Sequence, residues 1–173
     1  MGMVWTEHGH RAIRIVKVEA THKDALVAII NGTDNLSVEE KGCAGELLDI
    51  YLNNPVQCDY NFIVAVDADG RPTGYVCYGP TPLAAGTYDL YWIVVASSAR
   101  GKGIGGALIS RTEEIVRGQG CRMLAAHTSG RDDYEAARAF YAKAGFTEEA
   151  RIRGFYRQGD DLVVFVKRYQ NHP

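Results

Sequence analysis

Between Arg100 and Ala107 the chain reads Arg-Gly-Lys-Gly-Ile-Gly-Gly-Ala, with glycines at 101, 103, 105 and 106. No other stretch restricts the fold as strongly. The apolar run Leu90 to Ala96 precedes it, and a segment with helical apolar spacing, Gly103 to Arg117, follows. A strand therefore enters a loop where glycines let the backbone approach a ligand closely, and a helix starts inside that loop. Amides at a helix start lack intrahelical carbonyls and carry partial positive charge, so the turn suits a phosphate or pyrophosphate. Arg100 and Lys102 add formal charge at its rim. The implied ligand is a diphosphate-bearing cofactor.

The rest of the chain supplies a sheet for this turn. Ala12 to Val18 alternates apolar and charged residues, as a half-buried strand does. Thr21 with Asp24 three residues later predicts a helix start ahead of Leu26, Ile29 and Ile30, ended by Asn31-Gly32. Ser37 with Glu39 and Glu40 predicts a second helix, stopped by Asn53-Asn54-Pro55. Asn61 to Val66 and Thr73 to Tyr78 flank an Asp69-Gly70 turn and read as a hairpin. Tyr88 to Val95 is a long β-prone strand, Met123 to His127 a short buried one, and Asp132 to Ala144 a helix closed by Gly145. Ala150 to Arg153 and Leu162 to Arg168 form a last strand pair around Gln158-Gly159-Asp160-Asp161. The expected order is β-α-α-β-β-β-α-β-α-β-β, an α+β (mixed α/β) chain with helices on both faces of one sheet.

At 173 residues the chain fits one domain over 1–173, with a core of about 12–169. Its 46% hydrophobic content is enough for a real core, and no apolar run approaches the ~20 residues of a membrane helix. A formal charge of −2 gives no electrostatic footprint for nucleic acid. Cys43, Cys58, Cys77 and Cys121 are scattered without ligand spacing, so they read as reduced thiols, with no metal site. The first residues lack the basic and apolar regions of a secretory signal, and a cytoplasmic location is expected. Gly2 and Thr6 match a loose myristoylation pattern without the polybasic segment that would cooperate with it.

Three ligand patterns compete at the glycine turn. Gly101-x-Gly103-x-x-Gly106 satisfies the dinucleotide fingerprint, but five residues separate Val95 from Gly101 and no acid follows in 118–123. A nucleoside-triphosphate loop needs Gly-Lys-[Ser/Thr], which Gly105-Gly106-Ala107 does not supply. The third pattern fits. Arg100-Gly101-Lys102-Gly103-Ile104-Gly105 matches R/Q-x-x-G-x-G/A between an apolar strand and an apolar-periodic helix. It closely resembles the acetyl-CoA-binding segment of the GCN5-related N-acetyltransferase (GNAT) family. Tyr141-Ala142-Lys143-Ala144-Gly145-Phe146 resembles that family's Y-x-x-x-G-F signature, and the element order is the family's too.

The resemblance implies a GNAT-like fold, with a mostly antiparallel sheet of six to seven strands, and an N-acetyltransferase. The main chain of Arg100, Gly101, Lys102, Gly103, Ile104 and Gly105 would hold the pyrophosphate of acetyl-CoA, a co-substrate. Ile93, Val94 and Val95 would pair with the pantetheine arm like an added strand. Tyr141 matches the tyrosine that protonates the departing thiolate, beside the plainer reading of a half-buried aromatic. An amine needs a base, since a lysine-like group is only about 0.04% neutral at pH 7. Asp89, eleven residues before Arg100, stands where relatives carry a catalytic glutamate. It also reads as a strand-end ion-pair partner. His127 is a second candidate base, and Tyr91 shares a strand face with Asp89. Where relatives often place an asparagine for pantetheine, this chain has Thr128 and Ser129.

Acceptor specificity in the family comes from the first two helices, the loop after the third strand and the final hairpin. Here these offer Glu39, Glu40, Glu46, Asp49, Tyr78, Tyr88, Asp160 and Asp161. A small-molecule or peptide amine is the expected partner, with direct transfer and no covalent intermediate, and a homodimer is left open. The alternatives are a catalytically weak CoA-binding sensor of the same fold and a dinucleotide-binding protein.

Overall fold

The computed structural model describes Met3–Val4 and residues 13–169; the pattern at Gly2 and Thr6 lies outside the described residues. In chain order the elements are β1 (Met3–Val4), β2 (Ile13–Lys17), α1 (Lys23–Asn31), α2 (Val38–Asn53), β3 (Asn61–Val66), β4 (Pro72–Pro80), β5 (Thr87–Val95), α3 (Ile104–Gly118), β6 (Met123–Ser129), α4 (Glu135–Lys143), β7 (Thr147–Arg157) and β8 (Asp160–Arg168). This is the expected mixed α/β order, with the two-residue β1 added in front of seven longer strands. β5 and β6 run parallel. The β1/β2, β2/β3, β3/β4, β6/β8 and β7/β8 pairs are antiparallel. None of the described helices is long and apolar enough to cross a membrane. By contact the chain divides into two compact units, Met1–Gly79 with Trp92–Thr112, and Pro80–Tyr91 with Glu113–Pro173.

In the first unit β1, β2, β3 and β4 lie side by side in that order. The β3–β4 turn is set by Asp67, whose Oδ1 accepts the N–H groups of Asp69 and Arg71 at 2.9 Å each. Gly70 supplies the left-handed residue there, with φ at +80°. α2 starts where the sequence predicts, at a reciprocal cap: Ser37 Oγ accepts from Glu40 N–H at 3.2 Å, and Glu40 Oε2 accepts from Ser37 N–H at 2.7 Å. The expected Thr21–Asp24 start is replaced by a 3-10 turn, Ala20–His22, in which Glu19 N–H donates to His22 Nδ1 at 3.0 Å. Leu26 and Ile30 of α1 and Ala44 and Leu48 of α2 are buried, as are Phe62 and Val64 of β3 and Tyr75 and Val76 of β4. Tyr51 of α2 sets its ring 5.1 Å from that of Phe62. Each buried Leu or Ile contributes roughly 2 kcal/mol against about 1 kcal/mol for a cap, so packing holds α2 and the cap fixes where it begins.

In the second unit the first half of β5, then β6, β8 and β7 lie in that order. β6 runs two residues past its expected end, because its ladder with β8 continues to Ser129 opposite Leu162. α4 is shorter than expected: a 3-10 turn at Asp132–Tyr134 precedes it, and Gly145 follows at φ +85°. Tyr141 packs against Phe140, Phe146 and Phe165, each 5.6 Å away by ring centroid. β7 is the largest departure. It spans eleven exposed residues where the sequence predicts four, because neither of its faces is buried and alternation has nothing to report.

The loop after β4 is closed on itself by Thr81 N–H to Thr87 O (2.9 Å), Ala84 N–H to Thr81 O (3.2 Å) and Thr87 N–H to Ala84 O (3.0 Å). Inside it Leu83 sits at φ +62° with its side chain fully in solvent. A left-handed L-residue costs roughly 1–2 kcal/mol, and asparagine tolerates that conformation. Leu83→Asn gives up no burial and is expected to raise the unfolding free energy by about 1 kcal/mol, read as a higher urea midpoint at unchanged slope.

Candidate active site

The glycine turn takes the form its sequence requires. A 3-10 turn, Ser97–Ala99, leads into Arg100 with extended backbone; Gly101 and Gly103 then stand at φ +75° and +76°. A Cβ at either glycine would meet nothing within 4 Å, so conformation and not crowding by protein atoms demands glycine here. α3 opens at Ile104, directly after a residue with no side chain to cap it. The amides of Ile104, Gly105 and Gly106 have no carbonyl a turn earlier within the helix; Ala107 N–H makes the first such bond, to Gly103 O at 3.0 Å. Arg100 and Lys102 are exposed and fold back on the turn, Arg100 Nε to Val95 O at 3.4 Å and Lys102 Nζ to Ser98 O at 2.9 Å. The result is a set of donors around open space with two cations at its edge.

β5 leads into this turn, and its main-chain directions can be read from two contacts. Ala96 N–H donates to Thr73 O at 2.9 Å, and Val94 O lies only 2.8 Å from where a Cβ on Gly74 would be. Polar groups of successive strand residues point to alternate edges. Val94 therefore faces β4, and Ile93 and Val95 present their N–H and C=O groups on the other edge. Of the three residues expected to pair with a ligand arm, Ile93 and Val95 thus face away from β4 and Val94 faces it. The β5/β6 ladder runs from Thr87/Met123 to Leu90/Ala126 and stops there, five residues before β5 ends.

Asp89 and Tyr141 belong to the second unit. Asp89 is half-buried on β5 opposite Ala125, and its Oδ2 accepts a hydrogen bond from Thr81 Oγ1 at 2.7 Å. Tyr141 is 6% exposed, and burial raises its pKa well above the ordinary phenol range. His127 is exposed on β6 opposite Val164. Thr128 and Ser129 are buried within the strand, not in a loop after it. Ser129 is already committed: its hydroxyl donates to Asp160 Oδ1 and accepts from Arg131 N–H at 3.1 Å.

Sequence reasoning missed what surrounds Ser129. Arg138 Nη1 donates to Ser129 O at 2.8 Å and to Arg131 O at 2.7 Å, tying α4 to the end of β6. Asp160 is buried with Arg131 and Arg157 each 3.7 Å from its Oδ2. Several carboxylates expected to meet an acceptor are thus occupied internally: Glu40 in the α2 cap, Asp49 with Lys23 at 2.7 Å, Asp160 as above, and Asp161 with Gly154 N–H at 2.9 Å. Only the Asp160–Asp161 turn carried a signal, two adjacent acids at the start of a strand. A groove of about 500 Å3 lies under the loop after β4, lined by Pro80, Thr81, Leu83, Thr87, Tyr88 and Gln119 among others.

Comparison with known proteins decides the family. The acetyltransferase (GNAT) family matches residues 34–146, which include the glycine turn and the Tyr141 to Phe146 signature. The chain belongs to the GNAT family of acetyltransferases. It is 32% identical over 110 residues to the aminoglycoside N(6')-acetyltransferase type 1 of Klebsiella aerogenes, covering 61% of this chain and 71% of the relative. The crystal structure of a GNAT-family acetyltransferase from Desulfovibrio desulfuricans matches at 39% identity and a TM-score of 0.86, over 91% of this chain and 99% of that one. An aminoglycoside 6'-N-acetyltransferase crystallised with coenzyme A shares the fold at a TM-score of 0.71 and 18% identity, over 92% and 99% of the two chains. The protein is a GNAT-type N-acetyltransferase, and its chemistry is acetyl transfer to amines.

Gly103→Ala places a methyl in the open space of the turn and forces an L-residue to a left-handed angle. The variant is expected to bind coenzyme A at least about tenfold more weakly by calorimetry, a loss of about 1.4 kcal/mol. Gly45→Ala in α2 has equal room and no positive φ, and is expected to leave that affinity unchanged.

Proposed function

We propose that this acetyltransferase moves the acetyl group of acetyl-CoA to the primary amine of a small molecule by direct transfer. The observation that carries the proposal is the uncapped start of α3 behind two left-handed glycines, a turn whose first helical amides have no carbonyl partner within the helix. The amides from Gly101 to Gly105 take the pyrophosphate, with Arg100 and Lys102 swinging from their carbonyls onto its charge. Ile93 and Val95 pair with the pantetheine amides through the main chain, and the N–H of Val95 or a neighbour stabilises the oxyanion of the thioester. Thr128 suits the pantetheine better than Ser129, whose hydroxyl is already bonded to Asp160 and Arg131.

The ammonium gives one proton to Asp89, directly or through a water. The neutral nitrogen then bonds to the thioester carbon as the carbon–sulfur bond breaks, and Tyr141 gives its phenolic proton to the departing thiolate. The second nitrogen proton returns to the phenolate through solvent. The upward shift at Tyr141 keeps the phenol protonated through the working pH range. A small-molecule amine is favoured because the Klebsiella relative is named for an aminoglycoside amine, and because few of the carboxylates once assigned to a cationic acceptor are free to meet a larger cationic surface.

Free-thiol release from acetyl-CoA, measured with kanamycin, spermidine, lysine and an alanine-led peptide, tests the activity. Turnover with at least one amine is expected, and none with any of the four would overturn the reading. With the fastest amine, Tyr141→Phe is expected to lower kcat by roughly a hundredfold with little change in the KM for acetyl-CoA. The wild type is expected to show no loss of kcat through tyrosine ionisation up to about pH 10, since a raised pKa holds the proton past the ordinary phenol range. Asp89→Asn is expected to lower kcat by at least roughly a hundredfold, and a wild-type kcat in that variant removes Asp89 from the proton path.

A further inference from the structure

We propose that Thr81 is a positioning residue for Asp89, and that the closed loop after β4 is built to hold it there. The inference rests on the reading of Asp89 as the acceptor of the amine proton. Thr81 Oγ1 donates to Asp89 Oδ2 at 2.7 Å across eight residues of sequence. The main chain of Thr81 is itself fixed twice, by its N–H to Thr87 O at 2.9 Å and by Ala84 N–H to its own carbonyl at 3.2 Å. The loop that achieves this contains an unfavourable residue, Leu83, left-handed at φ +62° and wholly solvent-exposed. Backbone strain held in place by surrounding bonds is commonest where a functional group has to be located.

The physical need is specific to aspartate. Its carboxylate turns about a broad, roughly two-fold torsion, so without a partner the two oxygens exchange places freely. A hydroxyl on Oδ2 stops that rotation and leaves Oδ1 to face the amine or the intervening water. No other side chain across the ladder offers the service: Ala125 stands opposite Asp89, flanked by Leu124 and Ala126. A short carboxylate that must act over one fixed distance gains most from a prepaid orientation.

The test compares three substitutions at Thr81 with the fastest of the four amines above. Thr81→Val and Thr81→Ala remove the donor and are expected to lower kcat by roughly tenfold or more, with the KM for acetyl-CoA within about twofold of wild type. Thr81→Ser restores the hydroxyl and is expected to keep kcat within about threefold of wild type. Placed on Asp89→Asn, Thr81→Val is expected to cost less than about twofold further, because two residues acting through one group are not additive. Wild-type kcat in both Val and Ala variants overturns the proposal. So does a Ser variant as slow as Val, or the full Thr81→Val penalty on the Asp89→Asn background, since each assigns Thr81 to the loop's structure alone. A wild-type kcat in Asp89→Asn by itself overturns the base reading instead, so the two failures are told apart.

Discussion

The main chain of β5 does two jobs, and the site follows from how they are divided. From Thr87 to Leu90 it pairs with β6 in the parallel ladder. Beyond Leu90 that ladder has ended, while Ala96 N–H still bonds Thr73 O on the β4 side. One edge of the strand stays hydrogen-bonded and the other gives up its partner, which costs stability unless something else supplies the bonds. A ligand with amides spaced along an extended arm does so without asking any side chain to be polar. This is why Trp92 to Val95 can look like ordinary core in composition and still be the segment we propose for the cofactor arm.

Features that depend on local backbone chemistry were the ones legible in the sequence. The glycine turn ahead of α3, the Asp69-Gly70 turn, the helix start at Ser37 and the Gly145 stop all follow from what a residue's own backbone can do. Features that depend on a distant partner were not. Ser129 reads as a free hydroxyl until Asp160, thirty-one residues on, is seen to accept its hydrogen bond. Val94 is indistinguishable from its neighbours until the bond between Ala96 and Thr73 fixes which way each residue faces. Leu83 carries no mark of its left-handed angle, because leucine is neither needed nor favoured there. β7 was underestimated for a different reason: burial writes the alternation that marks a strand, and this strand is not buried.

Charge also proved harder to read than apolar pattern. Acidic side chains gathered near an expected acceptor site suggest recognition of a cation, yet Asp160 is spent on Ser129, Arg131 and Arg157, and Asp49 on Lys23. The exposed pairs among these contribute little, typically under about 1 kcal/mol. The buried carboxylate of Asp160 matters more, since removing one partner from a buried charge is costly. Its arginines and the Arg138 bonds to two carbonyls hold together β6, the turn before α4 and the start of β8.

Gly74 carries a consequence for how the protein can vary. Its hydrogen stands where a methyl would come within 2.8 Å of Val94 O and 3.2 Å of Val95 Cα, both main-chain atoms that cannot rotate aside. Any replacement must therefore shift the main chain of β4 or of β5 at Val94 and Val95. Exposed positions in α2 and β7 meet no such main-chain obstacle, so substitutions have room there that they lack at residue 74.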